Sequence, residues 1–153
     1  MAVLLIIPTI FLIDLFVKLI VEKKLKDEKC VAGERILLRK HHNYGAALNT
    51  GEKNPKLVLA AAATCSGVII VYFIRRLTRG RAGLAELGLA FIVGGALNNL
   101  YDRINRGYVV DYFSFNVKWE KLRNIIFNIS DIFIFMGAAM TVIGEVAAEL
   151  KRV

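Results

Sequence analysis

Four long apolar blocks divide the chain, and polar segments separate them. A helix needs about 20 apolar residues to cross a bilayer, and each block reaches that length. The pattern therefore predicts an all-α membrane protein with four transmembrane helices, at about residues 2–21, 55–74, 83–102 and 125–148. Pro8 is expected to kink the first helix. Pro55 stands in the first turn of the second helix, where proline is favoured.

The polar segments between these helices carry short strand and turn patterns. The first loop, 22–54, has strand character at residues 35–39 and a turn signal at 49–52. We expect it to form a small β-like cradle. In the loop 103–124, the stretch from Ser114 to Asn124 is expected to lie along the surface as a lid. The chain, residues 1–153, is thus interpreted as one integral membrane domain.

Composition agrees with membrane insertion, because 56% of the residues are hydrophobic and soluble domains hold roughly 45–50%. The net charge of +8 would suggest nucleic acid, but no nucleic-acid-binding motif is present. Basic residues instead flank the apolar blocks, where they face anionic lipid. Cys30 and Cys65 are expected at different depths, which predicts free thiols. Neither a metal nor a cofactor is expected.

Charge also indicates an orientation. The short loop 75–81 has four basic residues and no acidic one, and the chain ends in Lys151-Arg152-Val153. The positive-inside rule places both in the cytoplasm, so both termini are cytoplasmic. The loop 22–54 is basic as well, so charge alone does not decide. We prefer this loop on the outer face. The first block lacks a basic leader and a cleavage site, which favours a retained helix over a signal peptide.

Polar side chains inside membrane helices are costly, so each is a functional candidate. Here they concentrate at one membrane face, where the third helix ends, the fourth begins and two loops meet. This set comprises Asn43, Asn98, Asn99, Asp102, Arg103, Asp111, Asn128 and Asp131. Asp14 and Lys18 add a charged pair inside the first helix.

Carboxylates close together at a membrane surface suggest general acid–base chemistry. Two neighbouring like charges do not both ionise easily, so one carboxyl keeps a proton near neutral pH. One then accepts a proton from water while the other donates one. Aromatic residues near this face, Tyr112 and Trp119 among them, are interpreted as an interfacial belt.

Plainer structural readings exist for the same residues. Asp102 and its neighbour Arg103 are compatible with an ion pair at a helix end. Asp14 and Lys18 are one helical turn apart and are able to neutralise each other. Asn128, three residues before the next aspartate, is compatible with helix capping. The residues alone leave these readings open beside the catalytic one.

Three motifs resemble those of the lipoprotein signal peptidases. Residues 43–48, NYGAAL, resemble that family's NxGAAF motif. Residues 94–103, GGALNNLYDR, followed by GYVVDY at 107–112, resemble GGAxGNxxDRxxxGxVVDF. Residues 127–131, FNISD, resemble FNxAD. The order, the spacing and the four-helix frame agree over most of the chain, which makes joint agreement by chance very improbable.

The resemblance implies an aspartyl endopeptidase with Asp111 and Asp131 as its catalytic pair. It places substrate-binding or supporting roles on Asn43, Gly45, Asn99, Arg103, Asn128, Asp14 and Lys18, and a structural role on Asp102. It also implies that the enzyme cuts prolipoproteins just before a diacylglyceryl-modified cysteine. We expect a monomer in the bacterial cytoplasmic membrane, with its active site near the outer face and membrane lipids around it.

Five positions depart from the family pattern without removing a catalytic carboxylate: Leu15, Val17, Leu48, Asn98 and Ser130. They indicate a divergent member. Two other classes are considered. One is a small proton or ion channel or a transporter subunit, which would need polar residues through the full membrane depth, whereas the second apolar block carries no charge in its interior, residues 57–74. The other is an inactive homologue that only binds, against which the presence of both aspartates argues.

Overall fold

The computed structural model describes residues 2–46, 49–80 and 83–151. In these ranges the helices are α1 (Ala2–Lys24), α2 (Pro55–Thr78), α3 (Leu84–Arg106), α4 (Glu120–Arg123) and α5 (Ile129–Leu150). The strands are β1 (Lys29–Val31), β2 (Ile36–Asn43) and β3 (Val109–Phe115). Leu48 and Arg81, both used in the sequence argument, lie outside the described residues.

The predicted fold class is confirmed, because α1, α2, α3 and α5 are each long and apolar enough to cross a membrane. Large apolar side chains stand outward on them: Phe16 is 65% exposed, Val68 64% and Phe135 61%. So much exposed apolar surface is typical of a face that contacts lipid.

Helix α3 is the centre of the bundle. Half of its membrane-length window is buried, compared with 11–17% for the other three long helices. It packs against α1, α2 and α5, and its Leu89, Ala90 and Val93 form a core cluster with Phe73. Polar residues at the end of α3 are therefore held between neighbours and away from lipid.

Glycines allow α3 and α5 to approach at backbone distance. A Cβ added at Gly88 would lie 2.5 Å from the carbonyl oxygen of Gly137, and one at Gly95 would lie 2.5 Å from that of Ser130. A Cβ at Gly144 would lie 2.5 Å from the backbone nitrogen of Ala85. Small residues at such positions are the usual means of close helix packing in membranes.

The three strands form one antiparallel sheet in the order β1-β2-β3, which covers the polar end of the bundle. The predicted strand at 35–39 is present as part of β2. A register shift interrupts the β2–β3 pairing between Leu38 and His41, after which His41 lies opposite Asp111 and Asn43 opposite Val109. The loop after α1 and the loop after α3, far apart in sequence, are thereby joined edge to edge.

The predicted helix bounds differ most at α5. The apolar run beginning at Ile125 suggested a helix from that residue, but the helix begins at Ile129. Phe127 is extended instead and bridges Phe113 of β3. Apolar periodicity does not separate a strand from a helix over four residues. The expected lid contains the single-turn helix α4, and Trp119 before it is 67% exposed.

At the opposite end of the bundle lies a second polar group, which we term the arginine cluster: Arg76, Glu86, Glu145 and Tyr72. Arg76 Nη2 lies 2.6 Å from Glu86 Oε1, and Nη1 pairs with Glu145 and with the Tyr72 hydroxyl. These contacts join α2, α3 and α5. Asp131 and Glu145 are 14 positions apart on α5, so this cluster is about 21 Å along the helix from the polar end that carries the sheet.

Candidate active site

Asp111 lies in the middle of β3 with its side chain turned into the protein, and it is 2% exposed. Its carboxylate accepts two amide hydrogen bonds. Asn43 Nδ2, at the end of β2, donates to Oδ2 over 3.0 Å. Asn128 Nδ2, just before α5, donates to Oδ1 over 2.7 Å. The β2–β3 pairing supplies the first donor, and the extended 125–128 segment supplies the second.

Asp131 lies in the first turn of α5, where Asn128 is the N-cap. The two residues form a capping box. The Asp131 backbone N–H donates to Asn128 Oδ1 over 2.9 Å, and the Asn128 backbone N–H donates to Asp131 Oδ2 over 3.1 Å. Such a box satisfies free N–H groups at a helix start, and here it also fixes the direction of the Asp131 carboxylate. The capping reading of Asn128 is thus confirmed.

Asn99 and Asn128 connect the two carboxylates. Asn99 Nδ2, near the end of α3, donates to Asp131 Oδ1 over 2.9 Å, while Asn99 Oδ1 accepts from Asn128 Nδ2 over 3.2 Å. The same Asn128 amide donates to Asp111. Asp111 and Asp131 therefore belong to one amide network, and both line one cavity of about 700 Å³.

The environment of Asp111 favours a retained proton. Burial first, and then the charge of Asp131, raise the pKa of Asp111 to about 7, although the hydrogen bonds from Asn43 and Asn128 act in the opposite direction. A carboxyl group that titrates near neutral pH beside a second carboxylate is the arrangement that acid–base catalysis by a pair requires.

Beneath the two aspartates lies a second layer, which we term the lysine cluster: Lys18 with Asp14, Asp102, Asn98 and Asn99. Lys18 Nζ lies 3.1 Å from Asp14 and 3.0 Å from Asp102, and all three side chains are fully buried. The same ammonium donates to Asn98 over 2.6 Å and to Asn99 over 2.9 Å. Lys18 thus fixes the amide that in turn holds the second candidate carboxylate.

Asp14 links this layer to β3 and α5. It accepts from the Tyr112 hydroxyl over 2.8 Å and from the Ser130 hydroxyl over 2.5 Å. Tyr112 follows Asp111 and Ser130 precedes Asp131. Each candidate catalytic residue therefore has a sequence neighbour anchored on the same buried carboxylate. The assignment of Tyr112 to an interfacial belt is wrong, because its side chain is buried at 4% exposure.

Asp102 and Arg103 do not form the ion pair considered from the sequence. Asp102 pairs with Lys18 and, over 3.3 Å, with Arg106, and it accepts from the Val110 backbone N–H. Asp102 is therefore a structural anchor between α1, α3 and the start of β3. The following residue points elsewhere, since adjacent positions on a helix face different directions.

Arg103 faces the 700 Å³ cavity instead. Its Nη2 donates to the Gly45 carbonyl oxygen over 2.8 Å, which ties α3 to the loop after β2. Its Nε is buried and has no hydrogen-bond partner among the residues that the structure describes. A Cβ on Gly45 would lie 2.3 Å from the backbone of Asn49. Glycine is needed at that position for this loop to close on itself.

The residues singled out from the sequence meet at this end of the bundle. Two departures from the family motifs, Asn98 and Ser130, are part of the buried network. Asn98 was among the polar candidates, whereas Ser130 was given no role; its signal in the sequence was only that a polar residue stands where the pattern has alanine. Within residues 2–46, 49–80 and 83–151, no group of three His, Cys, Asp or Glu side chains is arranged to hold a metal ion.

A membrane bundle in which one buried and one partly buried aspartate, both held by amides, line an apolar cavity is the arrangement expected of the class of membrane aspartyl proteases. Comparison with known proteins identifies the group more closely. The model of the signal peptidase II family matches residues 6–147, and the chain belongs to that family. Enzymes of this family are aspartic proteases, so the assignment favours the protease over the channel and transporter readings.

Individual relatives agree with the family. A lipoprotein signal peptidase of Haemophilus influenzae is 35% identical over 94% of this chain and 84% of its own length. One from Alteromonas mediterranea is 38% identical over 67% of this chain, a match that spans 56% of that relative. Among solved structures, a bacterial membrane enzyme aligns with a TM-score of 0.80 at 22% identity. That alignment covers 98% of this chain and 88% of the other, and it shows that the fold is shared.

Proposed function

We propose that this protein removes signal peptides from diacylglyceryl-modified prolipoproteins, cutting just before the lipidated cysteine, with Asp111 and Asp131 as its catalytic pair. The observation that carries the proposal is the amide network of Asn99 and Asn128, which holds both carboxylates at one cavity. We expect the two carboxyl groups to lie about 3–6 Å apart, close enough to share one water or one proton.

The chemistry follows from the unequal settings of the two groups. Asp111, with its raised pKa, donates its proton to the oxygen of the scissile carbonyl. Asp131 accepts a proton from water as the water oxygen attacks the carbonyl carbon. Collapse of the tetrahedral diol breaks the C–N bond. Asp131 returns its proton to the leaving amine, and Asp111 recovers its own from the diol hydroxyl.

The cavity fits a lipid-modified substrate. Beside the two aspartates, its lining includes Phe115, Phe127 and Phe135 together with isoleucines of α5 and of the segment before it. An apolar space of about 700 Å³ suits acyl chains and the apolar residues of a signal peptide. The guanidinium of Arg103 also lines this cavity, and we assign it as a donor to a substrate carbonyl.

Purified enzyme and a diacylglyceryl-modified prolipoprotein test the proposal. Asp111→Asn and Asp131→Asn each retain the shape of the side chain but cannot exchange a proton. Each should lose about 10²–10⁴-fold or more in cleavage rate, and the double variant should be no worse than either, because the two act as a unit. Asp27→Asn, at an exposed carboxylate, is the control and should cleave normally. Normal cleavage by either active-site variant would refute the aspartyl mechanism.

We further propose that the catalytic end faces the outside and that both termini are cytoplasmic. The support is the basic segment 75–81, whose residues 75–78 form the last turn of α2, at the end of the bundle that carries the arginine cluster. In a Cys30→Ser, Cys65→Ser background, membrane-impermeant thiol reagent added outside whole cells should label a cysteine placed at Glu52. It should miss one placed at Arg79. The reverse labelling pattern would show that the chain has the opposite orientation in the membrane.

A further inference from the structure

Two cavities meet at Asp111. The apolar cavity already described shares Asn43, Asp111, Ile125 and Ile126 with a second cavity of about 330 Å³. These four shared residues form the boundary between the two spaces. A chain bound across Asp111 would therefore leave the apolar cavity on one side and enter the second cavity on the other.

The second cavity, which we term the polar cavity, has a different lining. Beyond the shared boundary it is formed by His41 of β2, Asn49 of the following loop, and Lys121 and Asn124 of the segment that contains α4. No phenylalanine, tyrosine or tryptophan is among the described residues that line it. Amides, an imidazole and an ammonium suit a hydrated peptide rather than an acyl chain or a signal helix.

The cationic character of this lining comes from one residue. Lys121 is exposed and is the only lysine or arginine among the described residues that line the polar cavity. His41 lies opposite Asp111 in the β2–β3 ladder. Its pKa is lowered by partial burial and by the neighbouring His42 and Arg39. The imidazole is thus neutral near pH 7 and acts as a hydrogen-bonding group, while Lys121 supplies the charge.

We propose that the polar cavity binds the first residues of the mature polypeptide, those directly after the lipidated cysteine, and that Lys121 favours a carboxylate side chain among them. This inference rests on the proposed function, since it assumes that the bond cut at Asp111 lies between signal peptide and cysteine. The apolar cavity holds the lipid-soluble part of the substrate, and the polar cavity holds the part that is released into water.

The test uses three synthetic diacylglyceryl-modified prolipopeptides that differ only in the second residue after the cysteine: aspartate, asparagine or lysine. Cleavage by the purified full chain is measured as kcat/KM at low ionic strength. We expect the aspartate peptide to be cut about 3–10-fold faster than the lysine peptide, with asparagine between them. Because the contact lies at a solvent-open rim, the difference should shrink at about 1 M salt.

Lys121→Glu should reverse this order, and Lys121→Met should remove it. Lys118→Glu is the matched control, because Lys118 is an exposed lysine in the same segment but does not line the polar cavity. This control should retain the wild-type order. An equal reversal by Lys118→Glu would assign the preference to the overall surface field, and would overturn the role of the cavity.

The outcomes separate this inference from the proposed function. If wild type cuts all three peptides equally and Asp111→Asn cuts none, the proposed function stands and the polar cavity has no such role. If wild type cuts no peptide, both fail together. Two results together would support the inference: His41→Ala lowers kcat/KM for the three peptides by the same factor, and Lys121→Met makes the three kcat/KM values equal. The imidazole then binds the peptide backbone, and the ammonium group interacts with the charged side chain.

Discussion

The lysine cluster and the arginine cluster are alike in composition but differ in what surrounds them. Each places one buried cation between two carboxylates: Lys18 between Asp14 and Asp102, which are fully buried, and Arg76 between the buried Glu86 and the partly exposed Glu145. Each joins three long helices or their adjoining strands. By charge and burial alone, either would qualify as a functional site.

The two clusters differ in whether amide side chains connect them to a reacting group. The lysine cluster continues through Asn99 to Asp131, so its geometry sets that of a reacting group. The arginine cluster ends at Tyr72, and no cavity described above opens on it. A buried ion pair in a membrane helix is thus a functional signal when a network leads from it to a cavity. Without such a path, the buried ion pair serves to hold helices together.

The largest expected effect comes from Lys18→Met. It removes the cation that two fully buried carboxylates, Asp14 and Asp102, share, and breaking a buried ion pair typically costs about 3–5 kcal/mol of unfolding free energy. It also releases Asn99, so cleavage per folded molecule should fall by at least about 100-fold. Thermal unfolding in detergent and a cleavage assay on the folded fraction measure the two effects. Lys24→Met, at an exposed lysine of the same helix, is the control and should change neither quantity.

Arg76→Met separates the two clusters. It removes from the buried Glu86 the cation that pairs with it, so the loss of unfolding free energy should again be about 3–5 kcal/mol. Cleavage per folded molecule, however, should stay within about twofold of wild type, because no chain of hydrogen bonds or ion pairs among the described residues leads from Arg76 to the aspartates. A 100-fold loss of specific activity in this variant would show that the two clusters are functionally coupled.

The pH dependence is the next effect in size, and its sign follows from Asp111. The pKa of this group is raised from 3.8 to about 7, so between those values the folded protein holds a proton that the unfolded chain releases. Stability should therefore fall as the pH rises from about 4 to 7 and level off above it. Asp111→Asn should flatten that slope. Cleavage by wild type should decline about tenfold per pH unit above the pair's upper apparent pKa.

The smallest effects concern the two hydroxyl groups, of Tyr112 and Ser130, that donate hydrogen bonds to Asp14. Ser130→Ala removes one hydrogen bond and should lower the unfolding free energy by about 1 kcal/mol. Because alanine is the residue of the family motif at this position, the cleavage rate should stay within a few-fold of wild type. Tyr112→Phe also removes the acceptor of the Ile129 backbone N–H and should cost about 1–3 kcal/mol. Thermal unfolding of both variants tests this order. An inactive Ser130→Ala enzyme would contradict this prediction, and would show that catalysis depends on the hydrogen bond between Ser130 and Asp14.

Much of this arrangement was predictable from the sequence. Hydropathy located the four helices, since apolar length is a direct requirement of the bilayer. The concentration of Asn99, Asp102 and Asn128 near one membrane face predicted where the site lies. The partners were less predictable. Asp102 and Arg103 are adjacent, which favoured pairing them, whereas the helix turns one toward Lys18 and the other toward the cavity.

The connections across the chain were not readable in advance. Asp14 and Ser130 are separated by more than a hundred residues, and only the close approach of the helices and the sheet brings them together. The β2–β3 pairing, with its register shift before His41, likewise depends on tertiary contacts rather than local propensity. This pairing brings the Asn43 amide into hydrogen-bonding contact with Asp111, a contact that the sequence of neither loop predicts.

The glycines between α3 and α5 have a mechanical consequence. Gly88 and Gly95 are seven positions apart on one helix, as are Gly137 and Gly144 on the other, and the two backbones approach closely at three levels: Gly88 with Gly137, Gly95 with Ser130, and Gly144 with Ala85. A slide of one turn would carry Asp131 about 5.4 Å from Asn99 and would drive larger side chains into backbone. The α3–α5 pair therefore resists sliding. We expect any movement that admits and releases a substrate to occur in the sheet and the α4 segment.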